Sequence, residues 1–152
     1  MKTLGDANCK RETCDRLGRV RPETPRLWGK MTAPQMICHV RDSFLGVMGG
    51  KPFQKPKGLN LWPLMKGVAL YMPMHWPRGV ATRPEFDQQD GGTPPEEFER
   101  DVHLLIETIE RFTAQPRTVE FRPHPMFGAM SGKDWMRWGY LHVDHHLRQF
   151  GR

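Results

Sequence analysis

A row of apolar residues at helical spacing, between Thr93 and Pro116, is the feature that most constrains how this chain folds. The row consists of Phe98, Val102, Leu105, Ile109 and Phe112, separated by three or four positions. Because an α-helix completes a turn in about 3.6 residues, this spacing puts all of these side chains on one face. Charged residues fill many of the positions between them. The segment is therefore predicted to be an amphipathic helix whose apolar face is buried.

The residues before this row predict where the helix begins. Thr93 is a favourable N-cap, Pro94 suits the first helical position, and Glu96 stands three residues after the cap, as in a capping box. We therefore expect the helix to start directly after Thr93. It is expected to end near Pro116, since proline cannot continue a helix.

Three further segments show helical patterns, and no segment shows the pattern of a β-hairpin. Residues 6–17 form a weakly patterned first helix. The second helix is expected to begin after Thr32 as its N-cap and to stop at Gly49, and the last one is expected to begin after Ser131. The sequence thus predicts an all-α four-helix bundle, and 152 residues fit a single domain that spans residues 1–152.

A long irregular insertion is predicted between the second and third helices of this bundle. Residues 51–92 contain six prolines, which exclude a long regular element and a continuous sheet ladder. We expect only a short helix, near residues 61–71. Long irregular segments are uncommon in compact domains unless they have a function. This one is expected either to form a lid or wall of a site or to be a mobile surface excursion.

Composition and cysteine usage are those of an ordinary soluble protein. Charged residues make up 26% and hydrophobic ones 38%, and no apolar run is long enough to cross a bilayer. The amino terminus has no apolar stretch after Lys2, so we expect no secretory signal. Cys9, Cys14 and Cys38 form no evident disulfide framework. A cytoplasmic location, without membrane contact, is therefore expected.

The formal net charge of +6 raises the question of nucleic-acid binding, because clustered Lys and Arg neutralise phosphates. The basic residues are scattered, and the only loose cluster comprises Lys51, Lys55, Lys57 and Lys66. No binding motif accompanies these lysines, so they are predicted to belong to a solvated loop. We do not expect nucleic acid as a partner.

Two histidines in the last predicted helix are spaced as metal ligands. His142 and His146 are four residues apart, so their imidazoles lie one turn apart on the apolar face. His39 in the second helix borders the apolar face there, about 60° from Met36 on the helical wheel. Three neutral imidazoles bind a borderline-soft divalent ion such as zinc, nickel or iron and leave a position for water or substrate. The alternative is that these histidines are hydrogen-bonded residues of the core.

Neighbouring residues restrict the chemistry of this predicted site. Val143 follows His142 at the position where a zinc protease of the HExxH type has its glutamate, so a metalloprotease is not expected. Cys38 adjoins His39, but adjacent helical residues diverge by about 100°. Cys38 is therefore predicted to be a small buried hydrophobe, and the predicted ligand set consists of histidines alone.

Three residues near the predicted ligands allow two interpretations each. His145 is either a hydrogen-bonding or proton-carrying neighbour of the ligands or a partly exposed surface residue. Ser43 either orients a bound water or bonds its own helix backbone. Gly139 either leaves room for a ligand or permits close helix packing. His124, which lies between two prolines, is expected to be a rigid loop residue at the mouth of the bundle.

Three stretches of the chain carry a family resemblance, namely RLWGKMTAPQMICHVRDS, HPMFGAMS and HVDHHLRQFG. Together they resemble the DinB/YfiT superfamily, in particular its branch described as a domain of unknown function. The resemblance implies a four-helix bundle, assembled as a homodimer, with a metal site built from three histidines. His39, His142 and His146 match the positions of those ligands.

The resemblance also limits which function can be expected. Known activities in the superfamily include thiol-dependent S-transferases and a maleylpyruvate isomerase. Many members follow the last ligand with Arg-Gly-Gln, whereas Leu147, Arg148 and Gln149 follow His146 here, so no single reaction is carried over. We expect a metal-dependent enzyme acting on a small molecule, either S-transferase-like with a low-molecular-weight thiol or hydrolase-like. The alternative is a non-catalytic metal-binding module that contacts a partner or nucleic acid.

Overall fold

Helices account for the regular secondary structure of the computed structural model, which describes residues 1–54, 62–116 and 120–152. Five α-helices and one short 3-10 helix lie in these ranges, which contain no β-strand. They are α1 (Ala7–Leu17), α2 (Ala33–Val47), α3 (Trp62–Tyr71), the 3-10 helix (Pro84–Phe86), α4 (Phe98–Thr113) and α5 (Gly132–Gln149). The all-α class predicted from the sequence is confirmed. None of the described helices has the length and apolarity needed to cross a membrane.

Helices α2 and α5 pack against each other and connect the remaining elements, since α2 also packs against α4 and the 3-10 helix, and α5 also packs against α1 and α3. Aromatic rings fill the core between α2, α4 and α5. The ring of Phe44 on α2 lies 4.7 Å from Phe112 and 5.4 Å from Trp138, measured between centroids, in edge-to-face arrangements. A side chain at Gly139 would bring its Cβ to 2.9 Å from Leu4. Gly139 therefore permits close packing, the second of its two interpretations.

The predicted caps of the two helices that carry the candidate ligands are confirmed. At the start of α2, the Thr32 hydroxyl accepts from the Gln35 backbone while the Gln35 side chain accepts from the Thr32 backbone. Ser131 and Asp134 make the same reciprocal pair at the start of α5. Each pair satisfies backbone N–H groups that the first helical turn leaves without a partner. Local sequence thus determines where both helices begin.

The predicted start of α4 is wrong. The helix begins at Phe98, five residues after Thr93, and its N-cap makes no side-chain hydrogen bond. Thr93 is instead bound to Asp42 of α2, because its backbone N–H and its hydroxyl each donate to that carboxylate at 2.7 Å. Thr93 is thus held by a tertiary partner, and the Glu96 backbone N–H that a capping box would direct to the Thr93 hydroxyl donates instead to Asp101 Oδ2, at 3.1 Å.

The proline-rich segment is attached to α2 through the fully buried carboxylate of Asp42. Besides Thr93, Asp42 accepts from Lys51 Nζ at 2.8 Å and from Gln88 Nε2 at 3.3 Å. The short helix expected near residues 61–71 is observed as α3. Lys55 and Lys57 of the loose cluster lie outside the described residues. The sequence also predicts a short extended stretch at 118–122, and residues 118 and 119 of it lie outside the described residues as well.

Candidate metal centre

Three histidines from two helices meet in the structure. His39 comes from the middle of α2, and His142 and His146 come from successive turns of α5. Each offers one ring nitrogen, and these nitrogens all lie within 4.8 Å of one another. The ring centroid of His39 is 5.4 Å from that of His142 and 4.7 Å from that of His146. This group, called the histidine cluster below, contains the three residues that the sequence singled out, and it could hold a metal ion.

Hydrogen bonds to Nδ1 set the orientation of two rings in the histidine cluster. His39 Nδ1 lies 2.8 Å from the Phe86 carbonyl oxygen, and His146 Nδ1 lies 2.9 Å from Gln149 Oε1. The Gln149 amide is fixed in turn, because its Nε2 donates to the Trp28 carbonyl at 2.9 Å. Both acceptors are oxygens, so each Nδ1 carries the proton and each Nε2 keeps its lone pair. Metal-binding histidines typically have such partners on the nitrogen that does not bind the ion.

The third ring of the cluster contains a polar atom without a partner. His142 is half-buried, yet its Nδ1 has no access to solvent and no hydrogen bond to any described residue. Its surroundings are aromatic, with the Trp138 ring centroid 5.0 Å away. Leaving such an atom unsatisfied costs about 1–3 kcal/mol. Three imidazoles with one orphaned nitrogen fit the divalent ion that the resemblance implies.

Burial keeps the histidine cluster neutral. Desolvation lowers the pKa of His39 from its ordinary value of 6.5, and the Phe86 carbonyl opposes this effect. Desolvation, followed by the proximity of the other imidazoles, places the pKa of His142 and that of His146 well below 6.5. A metal ion binds the neutral imidazole, so the folded protein presents its donors in the binding form at neutral pH.

The histidine cluster lines a cavity of about 640 Å³. This volume is within the usual range for small-molecule sites, roughly 300–1,000 Å³. The proline-rich segment supplies one side of the cavity, including Trp76, whose indole N–H donates to the Ala69 carbonyl of α3 at 2.8 Å. Arg78 lies over the ring of Trp28, 4.2 Å from its centroid, and so joins this segment to the loop before α2. The described part of the segment is a wall of the site.

The structure selects one of the two interpretations of Ser43, and it places His145 in the cavity lining beside the histidine cluster. The Ser43 hydroxyl donates to the His39 carbonyl at 2.9 Å, the backbone bond that was one alternative. His145 is half-buried and lines the cavity between Trp28 and Trp76. Its Nδ1 is inaccessible to solvent and has no partner among the described residues.

Cys38 is buried as expected, and burial raises the pKa of its thiol to about 12.

Several lining residues were missed by the sequence analysis. The Phe86 carbonyl that orients His39 is a backbone group, and no side-chain pattern could have indicated it. Gln149 lies three residues after His146, so helical spacing could have indicated that the two side chains meet. Asp87, the one carboxylate among the described residues of the cavity lining, is in the irregular segment and carried no signal. Trp76 carried none either.

The remaining candidates lie elsewhere or have other partners. His75 and His103 are exposed and are absent from the described cavity lining. Two lysines of the loose cluster form ion pairs: Lys51 with Asp42, at 2.8 Å, and Lys66 with Asp134, at 3.3 Å. These two lysines are bound to carboxylates of the protein itself.

Fold and site together define an all-helical protein with a buried three-histidine group, able to hold a metal ion, beside a cavity of small-molecule size. The chain belongs to the family described as "Protein of unknown function (DUF1569)", which matches residues 7–152. This match supports the domain-of-unknown-function branch expected from the sequence, while the wider DinB/YfiT relationship stays a prediction. No curated protein and no solved structure matches the chain.

Proposed function

We propose that this protein binds one divalent metal ion through His39, His142 and His146 and is a metal-dependent enzyme acting on a small molecule in the adjacent cavity. The observation that carries the proposal is the convergence of three ring nitrogens within 4.8 Å on the wall of that cavity. A cavity of about 640 Å³ is the reason to prefer an enzyme over a non-catalytic metal-binding module.

The donor set favours zinc, nickel or iron, since neutral imidazoles suit borderline-soft ions. Three protein ligands leave at least one coordination position, where such an ion supplies Lewis acidity or a water of lowered pKa. The Phe86 carbonyl and the Gln149 amide hold two of the rings for this purpose. Trp28 and Trp76 line the cavity on either side of His145, with ring centroids 6.0 and 6.2 Å from its ring.

Among reactions, we favour a thiol S-transferase-like or hydrolase-like activity, the former with a low-molecular-weight thiol as cosubstrate. Both classes fit a cavity open to a small molecule, whereas the glutamate of an HExxH protease is replaced by Val143, which is fully buried. The thiol comes from the resemblance alone. Substrate panels assayed with and without a small thiol such as glutathione would separate the two classes.

The proposal extends to architecture. We propose that α1, α2, α4 and α5 form a DinB-like four-helix bundle, that the segment between α2 and α4 is an insertion into it, and that residues 1–152 form one domain that assembles as a homodimer. The packing of α2 against α4 and α5 supports the bundle. Size-exclusion chromatography with multi-angle light scattering tests the dimer, and a molar mass of one chain would contradict it.

Calorimetric titration of metal-free protein with zinc, nickel and iron tests the metal proposal. We expect one site per chain in the parent protein and at least a hundredfold weaker binding when His39→Ala or His142→Ala removes one of three ligands. His103→Ala is the matched control, because this exposed histidine lies on α4, outside the described cavity lining. The proposal would fail if the parent bound none of these ions, or if the control lost as much affinity as the ligand variants.

A further inference from the structure

The ring of His124 is oriented by the backbone of its own loop. His124 Nδ1 accepts from the backbone N–H of Met126 and from that of Phe127, both at 3.1 Å. The loop is closed by a pair of backbone hydrogen bonds between His124 and Gly128, at 2.8 and 2.9 Å. A nitrogen that accepts two N–H groups carries a lone pair and no proton. The proton of the neutral ring is therefore on Nε2.

Aromatic neighbours hold this ring in place. It stacks on Phe127 with 4.7 Å between centroids and an interplanar angle of 17°, and it contacts the rings of Trp135 and Trp138 at 5.8 and 5.4 Å. The residue is only 8% exposed. Burial lowers the pKa of His124 to about 3, so the ring stays neutral throughout the physiological pH range. The Nε2–H group is consequently a fixed, uncharged donor.

This donor lies on the lining of the same cavity as the histidine cluster and donates to no described residue. His124 Nε2 is not among the described side-chain atoms that lack both solvent contact and a partner, so water or a bound molecule can reach it from the cavity. A ligand oxygen that replaces water there gains one hydrogen bond, worth about 0.5–1.5 kcal/mol net. The walls near it are apolar, since Phe127 and Trp138 belong to the same lining. An ionised carboxylate would lose more solvation in such surroundings than a neutral carbonyl.

We propose that His124 is a ligand-binding residue whose Nε2–H donates a hydrogen bond to the carbonyl oxygen of a small, largely apolar molecule held in the cavity. The inference rests on the proposed function only in taking this cavity as the substrate site. It assigns a substrate class, neutral carbonyl compounds with an aromatic or aliphatic body. It also assigns a binding role to a residue outside the histidine cluster.

Two substitutions separate the loop role of His124 from its proposed binding role. In His124→Asn, the side-chain oxygen can occupy the place of Nδ1 and accept from the loop, but nothing reaches the place of Nε2. In His124→Gln, the amide nitrogen can occupy the place of Nε2 and donate into the cavity, while the loop acceptor is lost. A purely structural residue would be replaced better by Asn, and a ligand-binding donor better by Gln.

The test uses acetophenone, with ethylbenzene as the matched probe that lacks the oxygen and benzoate as the anionic probe. Dissociation constants are measured with the full chain, both as purified and after removal of metal by a chelator. We expect the parent to bind acetophenone about tenfold more tightly than ethylbenzene, the effect of one satisfied buried hydrogen bond. The preference should vanish in His124→Asn and persist, within about threefold, in His124→Gln.

The inference is overturned if the parent binds neither probe, or if it binds acetophenone no more tightly than ethylbenzene. It is also overturned if the preference for acetophenone survives in His124→Asn. Tighter binding of benzoate than of acetophenone to the metal-free protein would overturn it as well. If His124→Asn does not fold, ¹⁵N NMR of the parent decides. The Nε2–H signal of His124 should move with acetophenone and not with ethylbenzene, and an unmoved signal contradicts the proposal. Since the comparison holds in metal-free protein, a failure of metal binding would leave this result intact and would count against the proposed function alone.

Discussion

At the scale of single residues, the state of each imidazole determines what the cavity offers a ligand. In His39 and His146, Nδ1 donates to a protein oxygen, so Nε2 carries the free lone pair. His124 does the reverse, because its Nδ1 accepts from the backbone and its Nε2 carries the proton. Histidine thus provides both lone pairs that can bind a cation and an N–H group that can donate to an oxygen. The difference comes entirely from the partners of Nδ1.

Replacing Gln149 tests the support of His146. Gln149→Met removes the acceptor for His146 Nδ1 and the donor to the Trp28 carbonyl. We expect metal affinity to fall by about 10- to 100-fold, the usual effect of losing such a partner. Competition with a chromophoric chelator measures it. Gln149→Glu, which keeps an acceptor beside His146, should retain more affinity than Gln149→Met, and the opposite order would contradict this role.

The neutral, buried histidines predict how the stability of the metal-free protein depends on pH. Burial lowers the pKa of the histidine cluster below the unfolded value of 6.5, and lowers that of His124 to about 3. Below pH 6.5 the unfolded chain therefore binds more protons than the folded one. The free energy of unfolding should therefore be highest, with respect to these histidines, above pH 6.5. Below that pH it should decline by up to about 1.4 kcal/mol per pH unit for each buried histidine.

Urea unfolding of metal-free protein between pH 7.5 and 5.5 measures this decline. His124→Asn removes one of the buried histidines and should give a shallower slope than the parent. A free energy of unfolding that stays level or rises as the pH falls from 6.5 to 5.5 would show that these rings are not held neutral.

At the scale of elements, local signals and tertiary contacts predict different parts of the structure. The caps at Thr32 and Ser131 are local, and both could be predicted. The start of α4 could not, because Asp42 binds the Thr93 hydroxyl from 51 positions away in the sequence. The same limitation applies to the Phe86 carbonyl, which belongs to the short 3-10 helix and lies 47 positions from His39 in the sequence. Long-range hydrogen bonds of this kind have no periodic signature in the sequence.

Asp42 connects these elements, and replacing it should loosen the wall of the cavity. In Asp42→Ala, the Lys51 ammonium and the two Thr93 donors lose a fully buried carboxylate. Removing one partner of a buried ion pair costs about 3–5 kcal/mol, and we expect a loss of that size in urea unfolding. Glu107→Ala, at an exposed position on α4, is the control and should change little. Equal effects of the two substitutions would contradict the buried role of Asp42.

Gly139 and Gly67 form a matched pair for testing helix packing. At Gly139 an added Cβ would lie 2.9 Å from Leu4, 3.0 Å from Phe112 and 3.2 Å from Phe44, so Gly139→Ala should destabilise the protein by about 1–3 kcal/mol. At Gly67, within α3, an added Cβ meets nothing within 4 Å. Gly67→Ala should therefore stabilise slightly, by about 0.5–1 kcal/mol. Thermal unfolding compares them, and a neutral Gly139→Ala would indicate spare room beside α5.

At the scale of the whole molecule, the sequence predicts the side of the cavity that carries the histidine cluster better than it predicts the remaining walls. His142 and His146 follow from their spacing, and His39 follows from its position on the apolar face together with the family resemblance. Trp76 and Asp87 lie in a proline-rich segment whose path depends on its attachment to α2 and α3. No periodicity describes that path. Only the assembled structure shows that the described part of the segment forms one side of the site.

The central claim is that His39, His142 and His146 together bind one divalent ion. X-ray absorption spectroscopy of protein purified without an affinity tag, with its metal content measured on the same sample, tests this claim most directly. We predict about one ion per chain, with three imidazole nitrogens at about 2.0–2.1 Å if the ion is zinc, and loss of that signal in His142→Ala. An ion held by fewer imidazoles, or no stoichiometric ion even after incubation with zinc, nickel and iron, would contradict it.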